Sequence, residues 1–175
     1  MRPEALDRIK LIFRLFDADG SGRLEAADFD LMTRNVIAAA PAASDAAQAE
    51  LADAFGQFWT TLARELDADG DGKVSFAEFQ DCVFSPERFD RTIATFAEAL
   101  AAMGDPDGDG LIERPVFTAL MTAIGFGADN IAKLFDAFGP DRQDRITVRI
   151  WVQGIKDYYA PEKAGVAGDH LVPSA

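Results

Sequence analysis

The 175-residue chain has a single cysteine, Cys82, so no disulfide can form within it. It has a single histidine, His170, set among small residues near one end, which leaves no well-placed base for a nucleophile–histidine–acid triad. No glycine-rich phosphate cradle is present, and no enzymatic activity is expected. Lys and Arg total 17 against 30 Asp and Glu, a formal net charge of −13. So few basic side chains argue against nucleic acid or an anionic membrane as a partner. No run approaches the ~18 apolar residues of a membrane span. The first ten residues are charged throughout and lack the apolar core of a secretion signal, so a soluble, cytoplasmic monomer is the expectation.

What the chain has in quantity is apolar bulk and acid. Hydrophobic residues make up 49% of it and phenylalanine alone occurs 14 times, enough for one compact domain or two closely apposed halves. That content excludes a disordered acidic coil. The acids are not spread evenly. Residues 67–78 read Asp-Ala-Asp-Gly-Asp-Gly-Lys-Val-Ser-Phe-Ala-Glu and meet the calcium-loop pattern D-x-D-x-D-G-x5-E at every specified position. Ca²⁺ is a hard cation that takes about 6 to 8 oxygens, and such a loop presents them at alternate positions. Asp67, Asp69 and Asp71 offer carboxylates, Lys73 its backbone carbonyl, Ser75 a direct or water-bridged oxygen, and Glu78 two oxygens from beyond the turn. Gly72 stands where the chain must turn sharply, a place that suits a residue without a Cβ.

Three further segments vary the same pattern. Residues 17–28 keep oxygen donors at positions one, three and five (Asp17, Asp19, Ser21) and place Arg23 and Glu25 at seven and nine, but end on Asp28. Aspartate is one methylene shorter than glutamate and brings fewer oxygens to a metal, so this loop is expected to hold Ca²⁺ more weakly and to admit Mg²⁺. Residues 105–116 offer Asp105, Asp107, Asp109, the Leu111 carbonyl and Glu113, yet Val116 at position twelve supplies no closing carboxylate. Weak occupancy and an empty but folded loop are both open there. Residues 139–150 are the remnant of a fourth loop: Gly139 at position one, Asp144 for the turn glycine, Ile150 at position twelve, and Arg142, Arg145 and Arg149 opposing a cation. No metal is expected in it.

Helical patterns flank these loops. Ile9, Ile12, Phe13 and Phe16 predict an amphipathic helix over residues 4–16, and Phe29 and Met32 carry one out of the first loop. Pro41 interrupts, and Ser44 caps a long helix over residues 45–66. Its Leu51, Phe55, Phe58, Trp59, Leu62 and Leu66 exceed what one helix leading into a loop needs, so the surplus is expected between the halves. Phe79, Cys82 and Val83 repeat the spacing after the second loop, which puts Cys82 on a buried face as a small hydrophobe. Ser85 and Pro86 read as the start of a helix running to about Met103. Phe117, Leu120 and Met121 lead to a break at Gly125 and Gly127; Ile131, Leu134, Phe135 and Phe138 enter the last loop, and Trp151, Ile155 and Tyr158 leave it. Residues 161–175 read as a loosely ordered tail lying back over the core.

Two full loops, one half-kept and one decayed, resemble the EF-hand superfamily over about residues 4–159. The loops start 50, 38 and 34 residues apart, and the wide first interval with its aromatic-bearing helix resembles the calerythrin and sarcoplasmic calcium-binding protein family more than evenly spaced calmodulin. The resemblance implies an all-α fold of four EF-hand helix–loop–helix motifs in two pairs, packed as one compact body. Residues 1–84 would carry loops 17–28 and 67–78, residues 85–160 would carry loops 105–116 and 139–150, and residues 161–175 the tail. Short β-bridges would join the eighth loop residues, Leu24 to Val74 and Ile112 to Ile146. It also implies calcium as the partner and intracellular calcium buffering or transport as the role. The alternative is a sensor that opens a soft, methionine-rich groove to a protein target. Met32, Met103 and Met121 are scattered over three helices, which favours the buffer, and no protein target is indicated. The light-emitting photoproteins, similar in compact four-loop fold, rely on histidine triads in a central cavity and on an inactive second loop. Here the lone histidine is in the tail and the second loop is the most complete, so a ligand-binding enzyme of that kind is a remote alternative.

Overall fold

The structure is a computed structural model that describes residues 3–81 and 86–173. Among the described residues there are eight α-helices and two small antiparallel sheets. The expected all-α, four-motif architecture is what is observed. Helix α1 (Pro3–Phe16) leads into the first loop, strand β1 (Arg23–Leu24) lies inside it, and α2 (Ala26–Ala39) leads out. Helix α3 (Asp45–Leu66), β2 (Val74–Ser75) and α4 (Phe76–Asp81) repeat the unit. Then follow α5 (Asp90–Met103), β3 (Leu111–Glu113), α6 (Arg114–Ile124), α7 (Ala128–Ala137), β4 (Arg145–Thr147) and α8 (Val148–Tyr159). Ser44 caps α3 as expected, its Oγ accepting from the Ala47 N–H at 3.1 Å. Gly125 ends α6 in the left-handed region at φ 108°, where an L side chain is strained.

The strands pair as anticipated. β1 runs antiparallel to β2 with Leu24 opposite Val74, and β3 antiparallel to β4 with Ile112 opposite Ile146. All four of these apolar residues are buried, so each bridge also nails its two loops to the core.

That core is one continuous body of side chains. Helix α3 packs on α5, α5 on α8, α2 on both α3 and α6, and α1 on α8, so the first two motifs and the last two interleave. Phe58 is the central contact, its ring 5.6 Å from Phe16, 5.6 Å from Phe96 and 6.1 Å from Tyr159. Pairs in this edge-to-face range add about 0.5–1.5 kcal/mol each beyond the area they bury. Phe55 joins them through Phe96 at 5.1 Å. Trp59 is half-buried and lies on Phe29 of the first motif pair, at 5.5 Å.

Two expectations change. The helix read from Ser85 and Pro86 begins at Asp90, because residues 86–88 form a 3₁₀ turn and Phe89 takes φ −109° and ψ −12°. Phe89 is only 3% exposed, its ring seated in the core where the 3₁₀ turn passes into α5. Ser85, Cys82 and Val83 lie outside the described residues. The tail, in turn, is not loose where it is described. Residues 167–171 form a 3₁₀ turn, with Gly168 against the Tyr158 ring and Leu171 4% exposed. It is held by Arg8 of α1, which has no exposed side-chain surface. The Arg8 guanidinium donates to the carbonyls of Tyr158 (2.7 Å), Ala160 (3.0 Å) and Lys163 (3.1 Å) and pairs with the Asp169 carboxylate. The Tyr158 hydroxyl donates back to the Arg8 carbonyl at 3.0 Å. No helix among the described residues is long and apolar enough to cross a membrane.

Candidate metal centres

Each of the first three loops wraps its backbone N–H groups around its own carboxylates. The sixth residue, Gly22, Gly72 or Gly110, donates to the first-position aspartate, Asp17, Asp67 or Asp105, at 2.9 Å every time. These glycines sit at φ 79°, 78° and 83°, the left-handed turn that aims the N–H inward. The fifth residue donates to the third-position aspartate: Ser21 to Asp19 at 2.9 Å, Asp71 to Asp69 at 3.1 Å, Asp109 to Asp107 at 3.3 Å. The result is three sets of carboxylate oxygens, each gathered within 4.8 Å: Asp17, Asp19 and Asp28; Asp67, Asp69 and Asp71; Asp105, Asp107 and Asp109. Like charges so close repel, and a hard divalent cation held by oxygen is what such a donor set fits.

The closing residue separates the loops. Asp28 is 4% exposed; its Oδ1 accepts from the Ala18 N–H at 3.0 Å and its Oδ2 from the Glu25 N–H at 2.8 Å. Glu78 repeats this on the second loop, taking the Ala68 N–H at 3.1 Å on one oxygen and the Ser75 N–H at 2.8 Å on the other. In both loops the twelfth carboxylate therefore clasps the N–H groups of residues two and nine. Val116 packs against the core instead and brings no oxygen. The position-two residue there is Pro106, and in the fourth loop, which ends on Ile150, it is Pro140. Proline has no N–H to leave unpaired. The loss of the twelfth acid and the loss of the donor it would satisfy go together, a signal the sequence carries but that only the clasp makes readable.

The remaining candidates fall into two groups. Ser21 Oγ lies 3.4 Å from Asp17 Oδ1 and donates to the Arg23 carbonyl at 3.0 Å; Ser75 Oγ donates to Glu78 at 2.7 Å. Leu111 and Glu113 lie in β3, opposite Thr147 and Arg145. Glu25, Arg23, Asp71 and Lys73 are engaged across the β1–β2 bridge: Lys73 Nζ pairs with Glu25 and the Arg23 guanidinium with Asp71. Glu25 is thus engaged by the neighbouring loop, because the antiparallel bridge sets Arg23 opposite Ser75 and brings the two seventh-position cations between the loops.

These contacts set the acidities. Burial pushes the Asp28 carboxyl above the usual range, outweighing the N–H groups it accepts. The Ser75 N–H and hydroxyl hold Glu78 below its usual range. An acid with a raised pKa regains its proton at the higher pH, and a proton on the closing carboxylate competes with a cation. As pH is lowered from 7 toward 4, the first loop is therefore expected to lose calcium before the second. Calorimetric titrations at stepped pH read this directly, and parallel loss at both loops would contradict it.

Residues 6–84 match the model of the EF-hand domain pair. Similar sequences include calerythrin of Saccharopolyspora erythraea, 26% identical over an alignment of 162 residues that covers 89% of this chain and 92% of calerythrin. The probable calcium-binding protein CML15 of Oryza sativa subsp. japonica is 31% identical over 160 residues, covering 71% of this chain and 74% of the rice protein. Among solved structures, a calcium-binding protein of Streptomyces coelicolor, described in terms of prokaryotic calcium-mediated regulation, shares the fold with a TM-score of 0.74 and 25% identity, covering 91% of this chain and 99% of that one.

Proposed function

This chain belongs to the EF-hand calcium-binding proteins, and from that premise we propose that it is a Ca²⁺ buffer or carrier with two full sites, at residues 17–28 and 67–78, working as a cytoplasmic monomer. The observation that carries this reading is the twelfth-position carboxylate. Asp28 and Glu78 each reach across their loop with both oxygens, whereas Val116 and Ile150 have none to offer. The metal is to be held by Asp17, Asp19, Ser21, the Arg23 carbonyl and Asp28 in the first loop. Asp67, Asp69, Asp71, the Lys73 carbonyl, Ser75 and Glu78 serve in the second, with Glu25 drawn in only if Lys73 lets it go. Asp105, Asp107, Asp109, the Leu111 carbonyl and Glu113 make a weaker third site. The shorter Asp28 inclines the first loop toward Mg²⁺ as well.

Buffering is supported over sensing by what holds α1. An opening that moved α1 would have to pull it from α8 and the tail, and Arg8 ties all three together through hydrogen bonds and an ion pair. A photoprotein-like role lacks its base: the cavity of about 440 Å³ between Ile9, Phe58, Phe89 and Tyr159 has no histidine in its wall, and His170 is exposed on the tail.

Calorimetry with Ca²⁺ is expected to count two tight sites, with Mg²⁺ competing mainly at one. Glu78→Gln is expected to weaken one of them by more than about 100-fold, since even residues that only support a ligand are worth about 10 to 100-fold, and to leave the other intact. A variant that still takes up two equivalents as tightly as the parent would end the assignment. A large calcium-dependent rise in the fluorescence of a hydrophobic dye would replace the buffer with the sensor.

A further inference from the structure

The fourth loop keeps the left-handed turn of a metal loop at position six but not the one at position four: Gly20, Gly70 and Gly108 have positive φ there and Arg142 does not, while Gly139 at position one takes φ 69°. Asp141, at position three, accepts the Gln143 N–H at 2.8 Å, as Asp19, Asp69 and Asp107 accept the fifth N–H in the other loops, and the same oxygen also takes the Arg145 N–H at 3.1 Å, which in those loops goes to the fifth residue. Its other oxygen takes Nε and Nη2 of Arg145, at 3.2 and 2.9 Å, and Gln143 Oε1, at position five, takes Nη2 as well. The guanidinium thus lies on the oxygens of positions three and five. Its third nitrogen is 3.8 Å from Asp109 in the loop next door.

A second arginine locks the turn. Asp144 occupies the glycine position at φ 62°, the one non-glycine residue with positive φ among those described. Arg114 grips both its carboxylate oxygens, at 2.7 and 2.8 Å, reaches Asp136 at 2.7 Å, and lies 4.3 Å over the Phe135 ring. Forked pairs of this kind are the strong form of the contact, and a network outperforms isolated surface pairs.

We propose that the fourth loop is a permanently filled cation site, with the Arg145 guanidinium in place of a metal, and that it keeps β3 and β4 paired when the other loops are empty. The charge balance points the same way. Loops 17–28 and 67–78 together hold eight acids and two cations, a net −6, while loops 105–116 and 139–150 hold six acids and four cations, a net −2. The β3–β4 sheet also has three residue pairs against two for β1–β2, and it is extended by the Val148 N–H to the Gly110 carbonyl at 3.0 Å and the Arg114 N–H to the Asp144 carbonyl at 3.3 Å. Metal removal therefore loosens one bridge and spares the other.

Hydrogen exchange of the full chain in chelator tests this without any variant. Backbone amides of β3 and β4 are expected to exchange at least about tenfold more slowly than those of β1 and β2. Added Ca²⁺ should slow β1 and β2 and change β3 and β4 by much less. Equal protection of the two sheets in chelator overturns the proposal. In the double variant Arg114→Gln, Arg145→Gln the β3–β4 advantage is expected to disappear, and its survival also overturns the proposal. The comparison in chelator stands whether or not calcium is bound, so failure of the calcium assignment shows separately, as absent uptake in calorimetry.

Discussion

Saturating Ca²⁺ is expected to raise the melting temperature of the chelator-stripped protein by about 10–20 °C, at roughly 2–4 °C per kcal/mol for a chain of this size. A ligand held only by the folded state stabilises it by mass action, about 2.7 kcal/mol per site at 100 times its dissociation constant, so two full sites contribute about 5 kcal/mol. The electrostatics add to the contrast. Twelve acids lie in loops 17–28, 67–78 and 105–116, and three clusters hold their oxygens within 4.8 Å. In the stripped protein nothing but N–H groups and a few side-chain cations offsets that crowding. Scanning calorimetry with calcium, magnesium and chelator in parallel reads the effect, and the Mg²⁺ shift should be the smaller. A transition that stays put across all three conditions would remove the cation from any role in this fold.

Replacing Arg8 with methionine is expected to lower the melting temperature by about 6–20 °C, because breaking a buried ion pair costs about 3–5 kcal/mol. The side chain has no exposed surface, and its loss takes the guanidinium from the Asp169 carboxylate and from the carbonyls of Tyr158, Ala160 and Lys163. Lysine at the same position should recover only part of the loss. An ammonium is a point charge without the planar fork that meets four acceptors at once. The number of tight calcium sites should stay the same in both variants, since the groups Arg8 binds, on Tyr158, Ala160, Lys163 and Asp169, lie outside the loops. A drop of less than about 1 kcal/mol would mean the tail is not clasped, and the argument for a body that resists opening would fall with it.

How far the sequence could be read depended on distance along the chain. The three acidic loops, the Ser44 cap, the Gly125 break and the Leu24–Val74 and Ile112–Ile146 pairs were all legible, because each rests on donors, caps or spacings set within a dozen residues or on the internal repeat of such a unit. The start of α5 was not: the local helix signal at Pro86 gives a 3₁₀ turn, and α5 begins only after the buried Phe89. Trp59 looked like its neighbour Phe58, and both rings do lie on Phe29, but Phe58 also reaches Phe96 and Tyr159.

The oxygen sets that make this a calcium-binding chain are local, and the sequence by itself determined them, down to the missing acid at Val116. Arg8 and Asp169 stand 161 residues apart, Arg23 and Asp71 48, Arg114 and Asp144 30. Charged side chains of this sort look alike on paper, and their partners exist only once helices pack and loops are bridged. Which cation tethers the tail, which faces the neighbouring loop and which grips the turn at Asp144 were therefore decided by the tertiary structure alone.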